Sequence, residues 1–365
     1  MTKMISAKKW LLSFISIILV LFVVCGSVVY WLDPLIQYRY DNRMRFFTTD
    51  AFSLMAGIIK NRDYDSAVIG SSMTQNFEMD WFRQEMGVNP AKLTTGNMQL
   101  NDIIQLYDAV QIAGKAKKFF INLDLGGFNA IDINEPINNN IKAYLYNSNK
   151  PDDFKYILRY DVWFRLIPLN LALNALNDMG ISMPEKIYKK TDIDDMSYWA
   201  DDFVFSKDVV IGIYKDKDNP YNPKKQEITE ARMKHNIDEF LVHILRARKE
   251  GQSIVFMFPP YSALYWYDTQ QNGTFKNFMD AKEFFIDKLD GVKDVRIVDM
   301  QDIPEITDLD HYKDITHYDT YIQGIYAESI KDGRLDVTQE TFPQRKARLE
   351  NLIKRFAEDN SDWLD

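Results

Sequence analysis

The 365-residue chain holds one cysteine and four histidines. A single cysteine rules out an internal disulfide and a cysteine-based zinc cluster. Four histidines leave little material for a metal site of any kind, so neither a metal nor a cofactor is expected. Glycine (15) and proline (12) are both scarce, which excludes collagen-like or linker-dominated architecture. Positive charge is short as well: 44 Lys and Arg against 53 Asp and Glu leave a net charge of -9. Phosphate binding needs a basic surface, so nucleic acid is not an expected partner. Apolar side chains are abundant, at 46% hydrophobic and 14% aromatic, enough for a packed core in a chain of about two domain lengths.

Part of that apolar surplus sits at the amino terminus. Trp10 to Leu32 runs 23 residues without a charge, WLLSFISIILVLFVVCGSVVYWL, which as a helix spans roughly 35 Å and crosses a hydrocarbon core. A secretory signal is the rival reading, but its apolar region is only about 7 to 15 residues long. No small-x-small cleavage site closes this stretch, and Val24 precedes Cys25 where a lipoprotein site expects Gly or Ala. Cys25 reads as a small apolar helix residue. Lys3, Lys8 and Lys9 hold residues 1–9 in the cytoplasm by the positive-inside rule, although Arg39, Arg43 and Arg45 beyond the span reduce the asymmetry. Trp10, Tyr30 and Trp31 fit an interfacial aromatic belt. The expectation is a single-pass cell-membrane protein: a cytoplasmic tail at 1–9, a transmembrane anchor at 10–32, and an extracytoplasmic body from about residue 45 to 340.

Within that body, four apolar runs bounded by turn residues read as buried strands: Ser66 to Gly70, Lys118 to Leu125, Ser253 to Phe258 and Val295 to Met300. Ala91 to Thr95 reads as a further short one. Their apolarity is continuous rather than alternating, the pattern of a parallel sheet covered on both faces. Helical periodicity lies between them, over Asn101 to Ala113 and over Ile228 to Glu250. Alternating strands and helices predict an α/β fold, a flavodoxin-like parallel sheet with helices on both faces. The stretch from about 130 to 229, rich in Asn, Asp, Tyr and Lys, reads as a mostly helical insertion between the third and fourth strands, with Asp216 to Lys225 an exposed loop. Residues 341–365 predict a carboxy-terminal helix, capped by Thr341 with Pro343 in its first turn.

In open α/β sheets ligands bind beyond the carboxyl ends of the strands. The first strand ends in Gly70-Ser71-Ser72-Met73-Thr74. A serine at a strand-to-helix turn is presented to substrate beside backbone N–H groups suited to an oxyanion, but it needs a base to lose its proton. Of the four histidines, His235 and His243 fall in a helical run and read as ordinary helix residues. His317 follows Asp314 by three residues, close enough for the carboxylate to orient the ring and stabilise the imidazolium. His311 follows Asp308 by the same interval and is the runner-up.

A Gly-x-Ser at the end of the first strand, a Gly after the second and a late Asp-x-x-His resemble the SGNH/GDSL hydrolase superfamily, over roughly Tyr64 to Ser329. The membrane anchor with a Gly-Ser-Ser first block resembles more closely the DltD and AlgJ/AlgX type of cell-envelope O-acylation proteins. Tyr144-Leu145-Tyr146 and the run from Phe258 to Ser262 also resemble segments of Gram-positive members. The resemblance implies the SGNH hydrolase fold, with Ser72 as nucleophile, His317 as base and Asp314 as its orienting acid. It implies an oxyanion hole of the Ser72 and Gly96 backbone N–H groups. The family's third block, Gly-x-Asn-Asp, is replaced here by Leu123-Asp124-Leu125-Gly126-Gly127-Phe128-Asn129. Asn129 or Asn97 stands in for the missing donor, and the sequence does not choose between them. Asp124 reads as structural, and Tyr261-Ser262 as a rim loop.

The function so implied is a membrane-anchored serine O-acyltransferase or esterase, acting on acyl (acetyl) esters of a cell-surface polysaccharide or teichoic-acid-like polymer. Its implied partner is a membrane-bound O-acyltransferase of the MBOAT type. The alternative is a non-catalytic SGNH-like accessory that binds such an acyltransferase or a polysaccharide, a reading motivated by the departed third block.

Overall fold

The runs expected as strands pair side by side in a computed structural model that describes residues 7–40, 51–129, 133, 143–147, 153–181, 200–216 and 229–364. In chain order, helices α1 (Ala7–Leu32) and α2 (Ala51–Asn61) precede strand β1 (Ser66–Gly70), α3 (Met79–Met86), β2 (Pro90–Thr94), α4 (Leu100–Ala113) and β3 (Lys118–Asn122). Four helices follow: α5 (Ala143–Tyr146), α6 (Asp153–Ile157), α7 (Ile167–Asp178, entered through a π turn at Val162–Leu166) and α8 (Lys207–Lys215). The chain then runs through α9 (Glu230–Ala247), β4 (Ser253–Phe258), α10 (Ala263–Gln271), α11 (Phe275–Leu289) and β5 (Val295–Asp299). It ends in α12 (Thr320–Asp332), α13 (Phe342–Asp359) and α14 (Ser361–Leu364). Two compact units result, residues 1–62 with 140–191 and residues 63–139 with 192–365.

The second unit is built on a five-stranded, all-parallel sheet of order β2-β1-β3-β4-β5. That order reverses direction between β1 and β3, and ligand crevices of doubly wound sheets open at this reversal. Both faces are covered, as the continuous apolarity predicts. Successive strand residues point to opposite faces. Phe120 meets Phe82 of α3 at 5.0 Å between ring centroids, whereas its neighbour Phe119 meets Tyr107 of α4 at 4.7 Å. Phe256, in register with Ile121 and so on the Phe119 face, packs against Phe240 of α9 and Phe285 of α11.

The expected strands and helices appear with ends shifted by up to three residues, except that the carboxy-terminal helix expected over 341–365 ends at Asp359 and is followed by the separate α14. β3 stops at Asn122 rather than Leu125 because Leu125–Asn129 turns into a 3-10 helix. Thr341 does occupy the position before α13, with Pro343 in its first turn, yet it lies in helical conformation and makes no capping bond. Its hydroxyl pairs with Thr338 instead. The described parts of the 130–229 stretch are mostly helical. The loop expected at Asp216 to Lys225 lies outside the described residues from 217 onward, as do Lys3, Arg43 and Arg45.

The first unit gathers α1, α2 and α5 to α7. Val29, Leu32, Leu35, Ala56, Leu145, Tyr156, Val162 and Leu166 form its apolar core. Just past α1, Asp33 closes the helix end: its carboxylate accepts the backbone N–H groups of Gln37 (2.8 Å), Tyr38 (2.8 Å) and Arg39 (3.2 Å) and the Tyr156 hydroxyl (3.1 Å). A Cβ at Gly57 would lie 2.3 Å from the Leu35 carbonyl, so only glycine lets α2 approach this turn. α1, 26 residues long and without a charge from Trp10 to Leu32, is long and apolar enough to cross a membrane.

One feature of the sheet unit was not visible in sequence. Lys282 of α11, Asp299 at the end of β5, and Arg345 of α13 with Asp302 form a buried ionic cluster, with Lys282 Nζ 2.5 Å from Asp299 Oδ2. Burial works against the Asp299 charge, but Lys282 and Arg345 outweigh it and hold the carboxyl below its usual range. The cluster ties α11 and α13 to the last strand. Asp299→Asn should therefore cost about 3–5 kcal/mol, because it leaves the Lys282 ammonium buried without its counter-charge. The measure is the denaturant midpoint at unchanged slope; a near-silent substitution would show that Lys282 finds another partner.

Candidate functional site

The chemistry-bearing residues collect where the sheet delivers the carboxyl ends of β1, β3 and β4. β1 ends at Gly70, where an added Cβ would lie 2.6 Å from both Asn122 Cβ and Thr74 Oγ1. Glycine is thus required for β3 and the following turn to close around the strand end. The chain then enters a 3-10 turn, Ser72–Thr74. Ser71 is its cap: the buried Ser71 hydroxyl accepts from Met73 N–H. Ser72, the first residue inside the turn, is half-buried.

Ser72 Oγ lies 2.8 Å from His317 Nε2. The other ring nitrogen, His317 Nδ1, lies 2.7 Å from Asp314 Oδ2 and 3.0 Å from Oδ1. Asp314 Oδ1 also accepts the backbone N–H groups of Thr316 and His317, each at 2.8 Å, and the Thr316 hydroxyl at 3.0 Å. Burial would raise the Asp314 carboxyl, but the ring and these N–H donors more than offset it and hold the group well below the usual carboxylate range. The serine, imidazole and carboxylate form one bonded chain with the spacing of a nucleophile, its base and the group that orients the base.

The loop carrying the histidine is fixed from several sides. Tyr312 and Tyr318 form an antiparallel bridge across it. The Tyr312 hydroxyl donates to the Pro260 carbonyl (3.0 Å), and Ser262 donates its N–H (3.2 Å) and hydroxyl (2.7 Å) to the Ile315 carbonyl. Tyr318 links loop to turn by donating to the carbonyl of Met73, the residue after Ser72. Residues 200–207, at the far end of the 130–229 stretch, flank the same place. Ala200 N–H reaches Asn76 Oδ1, Ser206 N–H reaches the Tyr312 carbonyl, and the Phe203 ring lies 3.7 Å from Lys313 Nζ. The Tyr261-Ser262 segment, expected at a rim, is buried. Its reason is visible: both side chains serve as supports, Ser262 for the loop and Tyr261 for Asp124, to which its hydroxyl donates at 2.9 Å.

Sequence reasoning missed a second polar group here. Asn122, buried in the last position of β3, places Nδ2 3.5 Å from Ser71 Oγ and from Asp124 Oδ1. Burial raises the Asp124 carboxyl, against the pull of Ser71, Tyr261 and His317. The available signal was polarity inside an apolar strand run, in Lys118-Phe119-Phe120-Ile121-Asn122.

Gly96 follows β2, in the turn whose Thr95 N–H donates to the Gly70 carbonyl. A Cβ on Gly96 would meet nothing within 4 Å, so packing does not demand glycine there. Asn97 is left-handed (φ 56°) and its Oδ1 accepts from Gln99. Asn129 Oδ1 accepts the N–H of Thr229, before α9. The bonded constellation therefore comprises Ser72, His317 and Asp314, while Asn97 and Asn129 have partners elsewhere. His311 pairs with Asp319 at 2.7 Å and stacks on Tyr321. His243 pairs with Asp108 on the surface, and His235 is exposed on α9. Among the described residues no group of three or more His, Cys, Asp or Glu side chains could hold a metal ion.

Comparison with the models of known protein families gives no match, and comparison with curated proteins gives none either.

The Asp314 geometry has a measurable consequence. A carboxyl held below its unfolded-state value contributes stability that is present above the ordinary carboxyl range, near pH 4, and is lost as pH falls towards the depressed value. Asp314→Asn should lower the Tm at pH 7, and its deficit against wild type should shrink steadily below about pH 4. A deficit of the same size at pH 7 and pH 3 would show that the carboxylate charge contributes nothing.

Proposed function

We propose that the protein is a membrane-anchored, extracytoplasmic serine O-acyltransferase or esterase of SGNH hydrolase type, acting on acyl esters of a cell-surface polymer. The observation that carries this reading is the unbroken Ser72, His317, Asp314 chain at the carboxyl edge of the sheet. Its supports are the Gly-Ser-Ser turn, the late Asp-x-x-His and the apolar α1, whose length suits a membrane span; the lysines before it favour a cytoplasmic amino terminus by the positive-inside rule.

In the proposed reaction His317 Nε2 takes the Ser72 proton as Oγ attacks the carbonyl carbon of an acyl donor. Asp314 holds the ring in the tautomer that offers Nε2 and stabilises the imidazolium. The negative charge moves to the carbonyl oxygen, where the Ser72 and Gly96 N–H groups are the proposed donors. Collapse breaks the ester bond, the leaving oxygen receives the proton from His317, and the acyl group stays on Ser72. A polymer hydroxyl or water then attacks acyl-Ser72 with His317 again as base, and Ser72 is released with its proton restored. A membrane-bound O-acyltransferase is the partner that would supply acyl groups at the same surface.

The test uses the full chain in detergent micelles with a chromogenic acetyl ester and an acetylated glycan. Ser72→Ala and His317→Ala should each lower the rate by a factor of about 10⁴ or more, and the double variant should be no slower than either, because the two act as a unit. An acyl adduct on Ser72 should be found by mass spectrometry in wild type. Equal rates for wild type and Ser72→Ala, with no adduct, would sink the enzyme reading and leave a binding accessory.

A further inference from the structure

We propose that the segment from Asp153 to Ile181 is itself embedded in the membrane, its outer apolar face lying against lipid chains in the leaflet that meets the carboxyl end of α1. The inference rests on the reading that α1 spans a membrane, and extends it to a second part of the chain.

The first observation is where the segment touches α1. One stripe of that helix is partly or fully covered, Phe22, Cys25, Gly26, Val29 and Leu32, at helical spacing, while most of its remaining surface is open. The cover comes from the 153–181 segment: the Phe22 and Phe154 rings are 5.4 Å apart, and a Cβ at Gly26 would sit 3.7 Å from Ile157 Cδ1. Phe22 lies ten residues before the helix end at Leu32, hence about 15 Å along the axis. If the segment stood in water, the membrane could hold only Trp10 to Leu21. Those twelve residues span about 18 Å, against a hydrocarbon core of about 30 Å. With the segment inside, the whole run from Trp10 to Leu32 is long enough.

The second observation is the segment's surface. Leu158, Phe164 and Met179 are 64%, 70% and 72% exposed, and Phe154, Tyr160 and Leu171 are exposed beside them. Tyr160 and Phe164 stack on each other at 4.7 Å rather than on the core. Apolar exposure on this scale marks contact with a membrane or a partner.

The third observation concerns polar groups, which hydrocarbon penalises when unpaired. Asn170 Nδ2 donates to the Leu166 carbonyl and Asn174 Nδ2 to the Asn170 carbonyl, each at 2.7 Å. Trp163 Nε1 donates to the Ile157 carbonyl at 2.6 Å, and Arg159 is paired with Asp161 and with Ser53. Lys155 and Arg165 are exposed, and their long stems suit them to reach the headgroups from a buried backbone. The named amides, the indole and Arg159 are satisfied within the protein, and the exposed charges Lys155, Arg165 and Asp178 are the groups that must reach the headgroup layer for the apolar outside to lie against lipid.

The test places a nitroxide spin label at Leu158, Phe164 or Met179, each changed singly to Cys in a Cys25→Ala full-length chain. Ile18 of α1 and Lys354 of α13 serve as controls, in vesicles of phosphatidylethanolamine and phosphatidylglycerol. Collision with oxygen relative to a water-soluble nickel chelate reports immersion. The three segment sites should resemble Ile18, with ratios several-fold above Lys354. Ratios like Lys354 at the segment sites, with Ile18 immersed, would overturn the proposal and leave the α1 span intact. If Ile18 also resembles Lys354, it is the span reading that fails. Low collision with both probes at the segment sites would mean that protein covers them, and would overturn the assignment to lipid.

Discussion

Within the sheet unit, the site depends on one ionised carboxylate. Asp314 gathers two backbone N–H groups, a hydroxyl and an imidazole into a four-residue turn. Those donors hold the charge, and the charge holds the turn. Without the turn the Tyr312 and Tyr318 bridge would have nothing rigid to span, and the Tyr318 link to Met73 would no longer set the separation between Ser72 and His317. The strain-free route for the chain at the other end is equally narrow, since β1 can close on Asn122 and Thr74 only through Gly70.

How much of this was legible in sequence follows from the kind of signal each part leaves. Buried parallel strands are apolar on both faces, so β1, β3, β4 and β5 announced themselves by composition. The edge strand β2, expected over Ala91 to Thr95, lies one residue earlier at Pro90–Thr94. Scarcity of histidine narrowed the possible base to His317 and His311, and the structure separates these two by partner: Ser72 for one, Asp319 for the other. Long-range polar contacts leave at most a single local sign, such as the polar Asn122 ending an apolar run, and nothing that names the partner. The Asn122, Asp124 and Tyr261 group draws on residues up to 139 positions apart in sequence, and no periodicity reveals it. The same is true of the ionic cluster of Lys282, Asp299 and Arg345.

The 130–229 stretch illustrates a different limit. Composition marks it as something other than alternating strand and helix, and its described parts are mostly helical. It is nevertheless divided between the units: residues 140–191 fall in the first, where 153–181 pack with α1, while 130–139 and 192–229 fall in the second, where 200–207 brace the histidine loop. Amphipathic pattern is assigned against water by default, so helices whose outer face is apolar read as ambiguous until their inner face is known.

The tether bears on whether an acyl group would go to a polymer or to water. From Leu32 to Ser66 the chain has 33 intervening residues, of which eleven form α2. Fully extended elsewhere, they reach at most about 100 Å from the end of the proposed span. A single donor molecule confined beneath a site within that radius is presented at roughly 1 mM, the effective concentration usual for a short tether. That is at or above the range in which most enzymes are half-saturated. A site held so close to a membrane-borne donor would be acylated repeatedly in one place. Under the proposed reading a polymer passing the same surface would have its hydroxyls concentrated in the same way, but bulk water is far more abundant, so transfer over release would require the site to exclude water when the polymer binds.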